Sequence, residues 1–260
     1  MRRRLTLLLV VLSSVGGLAA APARAVTQPW TPDLSSARDY AQHRKGIIGF
    51  AVRTEHGFWG WHQTHTMPSA SVVKAMLLVA YLDLPSVRDR ALTHKDRSMI
   101  DPMIKKSDDN ATDKVFSYVG FDGLRALAKR VGMVKFKTSY HWGRSHIDAS
   151  DQSRFLLHID DFIVARHRAH AMDLLASVVP EQRWGIAKVK TPGWKLYFKG
   201  GWGAGTGWVD HQVALLKRGT MRVAVAILTH WDGSHSYGKE NLRGIAARLL
   251  RGLNEQSVVE

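Results

Sequence analysis

Ser71 and Lys74 stand three residues apart within Ser69-Ala70-Ser71-Val72-Val73-Lys74-Ala75-Met76-Leu77-Leu78-Val79-Ala80. On a helix that spacing places a hydroxyl and an amine on one face, one turn apart. A serine hydroxyl attacks a carbonyl once a neighbouring base takes its proton, and an amine surrounded by alkyl groups is disfavoured as ammonium, which makes it such a base. The long apolar run, with Pro68 just ahead of it, predicts a buried helix whose first turn begins at Ser69 to Ser71. Unpaired backbone N–H groups and the positive end of the macrodipole at that turn stabilise a developing oxyanion. The chemistry implied is acyl transfer through an ester on Ser71.

Ser-x-x-Lys alone is a weak pattern. Average composition yields about one copy by chance in a chain of this length, and this chain has a second, Ser236-Tyr237-Gly238-Lys239. That copy reads as a polar, glycine-containing turn ahead of the last helix, without a catalytic role. The copy at Ser71 gains weight from two clusters downstream. Ser107-Asp108-Asp109-Asn110 lies between two helical patterns, where Asp108 and Asp109 cap the following helix while the Ser107 hydroxyl relays a proton between a leaving group and a lysine. Lys199-Gly200-Gly201-Trp202-Gly203 ends a strand pattern with a lysine and two glycines. A side chain at 200 or 201 would keep an extended substrate off that strand.

The elements that must position these groups follow from periodicity. Trp30 to Lys45 reads as a short leading helix, Gly46 to Thr54 as a strand, and Phe58 to His62 as its hairpin partner. From the Ser71 helix to Val179 the pattern is helical, over Leu82–Leu92, Lys95–Lys106, Ala111–Tyr118, Phe121–Val131, Ala149–Ala165 and Ala169–Val179, with no strand signal. Strands return at Trp194–Lys199, with Trp194, Leu196 and Phe198 toward the core and Lys195, Tyr197 and Lys199 outward, then at Gly207–Leu216 and Arg222–Thr229. The last is apolar enough to be central. Leu242, Ile245, Ala246, Leu249 and Leu250 recur at helical spacing and form a closing helix. The expected fold class is therefore α+β: an antiparallel sheet built from both chain ends with flanking helices, plus an inserted all-helical lobe. The sheet lobe covers about 46–65 and 185–256, and the helical lobe about 66–184.

The start of the chain reads as an address. Arg2 to Arg4, the apolar Leu5 to Leu12 and Ala23-Arg24-Ala25 have the order of a secretory leader, so residues 1–25 are expected to be removed and 26–260 to form one exported domain. Ser13, Ser14, Gly16 and Gly17 cut the apolar stretch short of a membrane span. With no cysteine, neither a disulfide nor a lipidated cysteine is available. Removing the four leader arginines from a net charge of +15 leaves +11, a balance suited to anionic wall polymer. The pairs His62 with His65, His167 with His170 and His230 with His235 lack the H-E-x-x-H form, so no metal or other cofactor is expected. No phosphate loop or nucleic-acid module is present. Trp59, Trp61, Trp142, Trp202 and Trp208 are candidates for a sugar or peptide groove, and core packing explains them equally.

Taken together, Ser71-Val72-Val73-Lys74, Ser107-Asp108-Asp109 and Lys199-Gly200-Gly201 resemble, in order, the signature of the penicillin-recognising serine enzymes, the class A beta-lactamases and D-Ala-D-Ala peptidases. The resemblance covers about Gly46 to Arg251 and is closest to exported actinobacterial members of that group, to which Glu181-Gln182-Arg183-Trp184-Gly185 is also similar. It implies Ser71 as the acylated nucleophile, Lys74 as its base and Ser107 as proton donor to the leaving nitrogen. Lys199 would hold a substrate carboxylate, and the N–H groups of Ser71 and Trp202 would form the oxyanion hole. Asp109, Gly200, Gly201 and Trp202 are then the substrate-binding set, and the partner is a peptide, an amide or a beta-lactam-like small molecule.

Two departures bear on the substrate. Asp109 stands where the family has an asparagine, and an ionised carboxylate cannot donate to a substrate carbonyl unless a bulge brings Asn110 into its place. Between Val131 and Ala149 there is no glutamate to activate a deacylating water, and Asp148, the only carboxylate there, sits where a helix cap belongs. The expectation is an exported serine hydrolase or acyltransferase acting on a wall amide or peptide. A catalytically weak binding module of the same fold is the alternative, and a beta-lactamase the third.

Overall fold

The computed structural model describes residues 30–255, so the expected leader lies outside the described residues. The described residues open with α1 (Leu34–Gln42), capped by the Asp33 carboxylate accepting from Ser36 N–H, and pass into the hairpin β1 (Ile47–Thr54) and β2 (Gly57–Trp61). A two-residue strand, β3 (Met67–Pro68), leads through a 3-10 turn at Ala70–Val72 into α2 (Val73–Leu82). The helices α3 (His94–Lys105) and α4 (Asp109–Val131), the short β4 (His146–Ile147), α5 (Ala149–Leu157) and α6 (Ala165–Ala176) follow. The chain then returns to the sheet with β5 (Lys195–Gly203), β6 (Val209–Arg218) and β7 (Met221–His230), and closes with α7 (His235–Leu249).

The sheet runs β2-β1-β7-β6-β5 with every pair antiparallel. This is the expected α+β architecture: strands from both ends of the chain, with helices inserted between them. Its centre is β7, whose residues alternate between two cores. Val223, Val225 and Ile227 pack with α1 and α7, whereas Ala224, Ala226 and Leu228 pack with the inserted helices. Burial on both faces is why its sequence is a continuous apolar run. All ten residues of α2 are buried, Lys74 included. That helix is the axis of the inserted lobe and fixes Ser71 at its mouth.

Several boundaries differ from the sequence expectation. No helix spans Leu82–Leu92, because Pro85 disfavours helical backbone at Leu84 and α3 takes its own start from a capping box of Thr93 and Asp96. The two helices expected at Ala111–Tyr118 and Phe121–Val131 are one element broken at Gly120, whose φ of 60° and ψ of −172° are not helical. The helix expected over Ala149–Ala165 stops at Leu157. Met67 and Pro68 pair with Ile147 and His146 in a stretch without strand signal; two residues are too few to show a period. The face of β5 expected to point outward is covered by the inserted helices, so Tyr197 and Lys199 are buried.

Candidate active site

The turn that carries Ser71 is held from three sides. On β6, the buried His211 accepts the Thr229 N–H at Nδ1 (3.1 Å), which leaves Nε2 protonated to donate to the Pro68 carbonyl at 2.8 Å. The segment before β4 binds the next residue, with Ser145 O accepting from Ser69 N–H at 2.7 Å and the Ser69 hydroxyl directed at the Trp142 and Gly143 carbonyls at 3.3 and 3.4 Å. The third support is β5. A Cβ at Gly201 would lie 2.8 Å from the backbone nitrogens of both Ser71 and Val72, and one at Gly200 would press on the Trp184 ring at 3.2 Å. Gly201 therefore lets the strand pack against the turn that carries Ser71, and Gly200 makes room for Trp184, a packing role beside the substrate clearance expected from sequence. Between the clamps, Ala70 adopts φ +44°, a left-handed conformation that costs an alanine about 1–2 kcal/mol.

The two lysines meet at the Ser107 hydroxyl. Lys74 Nζ donates to Ser107 O (2.6 Å), Ser107 Oγ (3.2 Å) and Asp109 Oδ1 (2.6 Å), and the face of Trp142 lies 4.7 Å away. Three acceptors use the three protons of an ammonium, so Lys74 is charged in this arrangement. Lys199 Nζ is 3.0 Å from the same Ser107 Oγ and 2.8 Å from Gly200 O. Both lysine side chains are 0% exposed. Burial lowers the Lys74 ammonium below the ordinary lysine range, and the Asp109 carboxylate pushes it partway back. Lys199 falls much further, first by burial and then by the Lys74 charge, with the smaller pull of Asp109 to oppose them. The consistent proton arrangement is a charged Lys74 donating to Ser107 Oγ, and Ser107 donating in turn to a neutral Lys199. Ser107 itself is held at φ +58° to stand between them.

Ser71, Asp109, Trp142, Arg144, Trp202 and Thr206 help line a cleft of about 270 Å³. Of the sequence-derived set, Ser71, Lys74, Ser107, Asp109 and Lys199 come together, and Trp202 forms a wall. Asp108, not Asp109, caps α4 by accepting from Ala111 N–H at 2.7 Å. Asp109 is instead directed to Lys74 while its side chain stays 71% exposed. Asn110 is exposed and is not among the residues lining the cleft, so no bulge substitutes it for Asp109. Lys199 does not line the cleft either; its amine is occupied by Ser107 and Gly200. Asp148 caps α5, accepting from Asp151 N–H at 2.7 Å, and burial raises its carboxyl to about 6. None of the hydrogen bonds among the described residues uses the Ser71 hydroxyl. Sequence reasoning missed His211 and the placement of Trp142, whose indole N–H is pinned by Asp113 at 2.7 Å. Three consecutive polar residues, Asp210, His211 and Gln212, at the start of an otherwise apolar strand were the available signal for His211.

The family model described as the beta-lactamase enzyme family matches residues 88–253, well over half of the chain. The matched stretch begins after Ser71 and Lys74, so their part in the site rests on the geometry above. No curated protein matches the chain. Among solved structures, a beta-lactamase from Sphaerobacter thermophilus is 15% identical, with a TM-score of 0.72 over 86% of this chain and 99% of that one. The chromosome-encoded beta-lactamase of Vibrio parahaemolyticus is 12% identical, with a TM-score of 0.74 over 86% and 100%. A structure of PBP-A is 15% identical, with a TM-score of 0.71 over 88% and 99%. At such identities these likenesses concern the fold alone. The matched family, together with an antiparallel sheet around inserted helices, gives the conclusion that the chain belongs to the beta-lactamase enzyme family.

Proposed function

We propose that this chain is an exported serine hydrolase or acyltransferase that forms an acyl-enzyme on Ser71 with an amide or peptide of the cell wall. The observation that carries the reading is the Ser107 hydroxyl, shared by Lys74 at 3.2 Å and Lys199 at 3.0 Å, with Ser71 lining a cleft. Two ammonium groups on one oxygen would repel strongly in a buried site, so the pair holds one mobile proton. A shift of that proton from Lys74 to Ser107, with the Ser107 proton passing to Lys199, leaves Lys74 neutral. Lys74 then takes the Ser71 proton as Oγ bonds to the substrate carbonyl. On collapse, the leaving nitrogen takes the Ser107 proton, Lys74 replaces it, and the net movement is one proton from Ser71 to the leaving group. Export and a wall substrate are favoured by the leader pattern and the charge of +15.

A second reading is a weakly catalytic binding module, favoured by the Asp109 contact that holds the proton on Lys74. Beta-lactamase activity is the third. It draws on the family, and against it stands Asp109 as the one carboxylate among the residues lining the cleft. The deciding experiment is intact-mass analysis of the exported chain after exposure to a fluorophosphonate and to a penicillin. A stable adduct with both, lost in Ser71→Ala, is expected. No adduct with either leaves the binding module, and rapid release of hydrolysed penicillin makes the protein a beta-lactamase.

A further inference from the structure

Behind the cleft, Trp202 is gripped by residues outside the three sequence motifs. Trp202 on β5 pairs in register with Asp210 on β6. Asp210 Oδ1 lies 2.6 Å from His235 Nδ1, and the His235 ring stacks on the Trp202 indole, with centroids 5.7 Å apart and planes inclined by 25°. Trp184 closes the group edge-on to both, at 5.7 Å from Trp202 and 5.3 Å from His235, and its carbonyl accepts from Gln212 Nε2 at 2.7 Å. The polar end of this stack is deeply buried. Asp210 and Asp232 are 2% and 3% exposed; Asp232 Oδ2 accepts from Thr229 Oγ1 at 2.6 Å, while its Oδ1 has no partner. Both carboxyls abut the first turns of α7, where a Cβ at Gly238 would overlap Asp210 Oδ2.

We propose that Asp210 and His235 are positioning residues for the acyl-transfer site: their hydrogen bond seats the imidazole on Trp202 and so fixes the cleft wall and the strand end beside Ser71. This rests on reading Ser71 as the acylated nucleophile. The strand end matters because Gly201, the residue before Trp202, abuts the Ser71 backbone nitrogen, and a displacement of about 1 Å at such a site costs on the order of 100-fold in rate. The charged groups facing the pair are Asp232 after β7 and Lys239 on α7. Burial and the Asp232 charge raise the Asp210 carboxyl to about 8 against the pull of Lys239. Burial, then Lys239, lowers the His235 imidazole. At neutral pH one proton therefore sits in the Asp210–His235 bond.

The test is ¹⁹F NMR of the full chain labelled with 5-fluorotryptophan, with the Trp202 resonance among the nine tryptophans assigned through Trp202→Phe. It is read beside the rate of Ser71 labelling by a fluorophosphonate. The Trp202 resonance should titrate with His235 in the unmodified chain and stop titrating in His235→Phe. In Asp210→Asn the titration should persist, because the carboxyl it replaces is already neutral where the imidazole titrates. His235→Gln, at a half-exposed position, should lower the labelling rate about tenfold while the melting temperature stays within a few degrees. Asp210→Asn, whose amide can still hydrogen-bond Nδ1, should lose less than His235→Gln does. A Trp202 resonance that does not titrate, or labelling rates within twofold across all variants, overturns the proposal. Absence of labelling in the unmodified chain overturns the acyl-enzyme reading instead, and with it the positioning of that site, while the titration still reports on the stack.

Discussion

Asp109→Asn should make Ser71 react faster. The substitution keeps the size of the side chain and an oxygen for Lys74 to approach, and removes the charge that stabilises the ammonium. The contact is 2.6 Å long, between an amine that is 0% exposed and a carboxylate that is 71% exposed. Surface pairs contribute about 0–1 kcal/mol, and breaking a fully buried pair costs about 3–5 kcal/mol. Discounted for solvent around Asp109, the charge is worth about 1–2 kcal/mol, a factor of roughly 5–30 in the fraction of neutral Lys74. Removing an anion lowers the Lys74 titration, so the base form appears at lower pH and the rising limb of the acylation profile moves the same way. Stopped-flow acylation by a penicillin, followed by mass-spectrometric decay of the adduct, separates the two steps. A gain of about 5–30-fold in acylation with unchanged deacylation is expected, because the amide supplies no base for water. Slower acylation, or a limb displaced to higher pH, would show that Asp109 assists the proton transfer and refute its role as a restraint.

Ser71→Ala should abolish labelling by fluorophosphonate, while Ser236→Ala leaves it unchanged, as intact-mass spectra will report. Ser107→Ala removes the bridge between the lysines and should slow acylation by a penicillin by about 10²–10⁴-fold, the range of lost acid-base catalysis, read by stopped flow. His211 is held at about 4 by burial against an ordinary 6.5. The unfolded chain therefore binds the extra proton between those values, and this residue's contribution is lost as pH falls through pH 6.5 to 4, by up to about 3 kcal/mol; urea unfolding of His211→Asn against the unmodified chain at pH 7 and 4.5 should show that dependence missing in the variant. N-terminal sequencing of exported protein should begin near Val26.

The fold was legible where burial is two-sided or strictly periodic. The β7 run and α2 announce themselves because Val223–Thr229 and all of α2 are buried, and α7 because its buried residues keep helical spacing. What escaped was set by partners distant in the chain. Lys199 follows the alternation of β5 correctly, but the sequence does not say that inserted helices cover the face it shares with Tyr197, and that cover turns a surface cation into a buried amine whose charged form is disfavoured. Gly201 read as room for a ligand because the object it makes room for, the Ser71 turn, lies 130 residues earlier in the numbering. His211 is informative only once Pro68 and Thr229 are known to flank it.

The second Ser-x-x-Lys makes the same argument from the other side. Ser236 was expected in a turn before the last helix, yet it lies in the first turn of α7, behind the N-cap Ser234. Position at a helix start, the feature that first set Ser71 apart, is therefore common to both serines. The difference lies in the surroundings of the lysine. Lys74 is sealed in a fully buried helix against Ser107, Asp109 and Trp142, with a second lysine on the same hydroxyl. Lys239 is half-buried beside the exposed Ser236. A lysine solvated by water keeps its proton at neutral pH, whereas one that shares a buried hydroxyl with a neutral amine has somewhere to send it. On the proposed mechanism, reactivity at Ser71 depends on Ser107 and Lys199, which arrive from the segment after α3 and from β5, and a four-residue pattern cannot encode it.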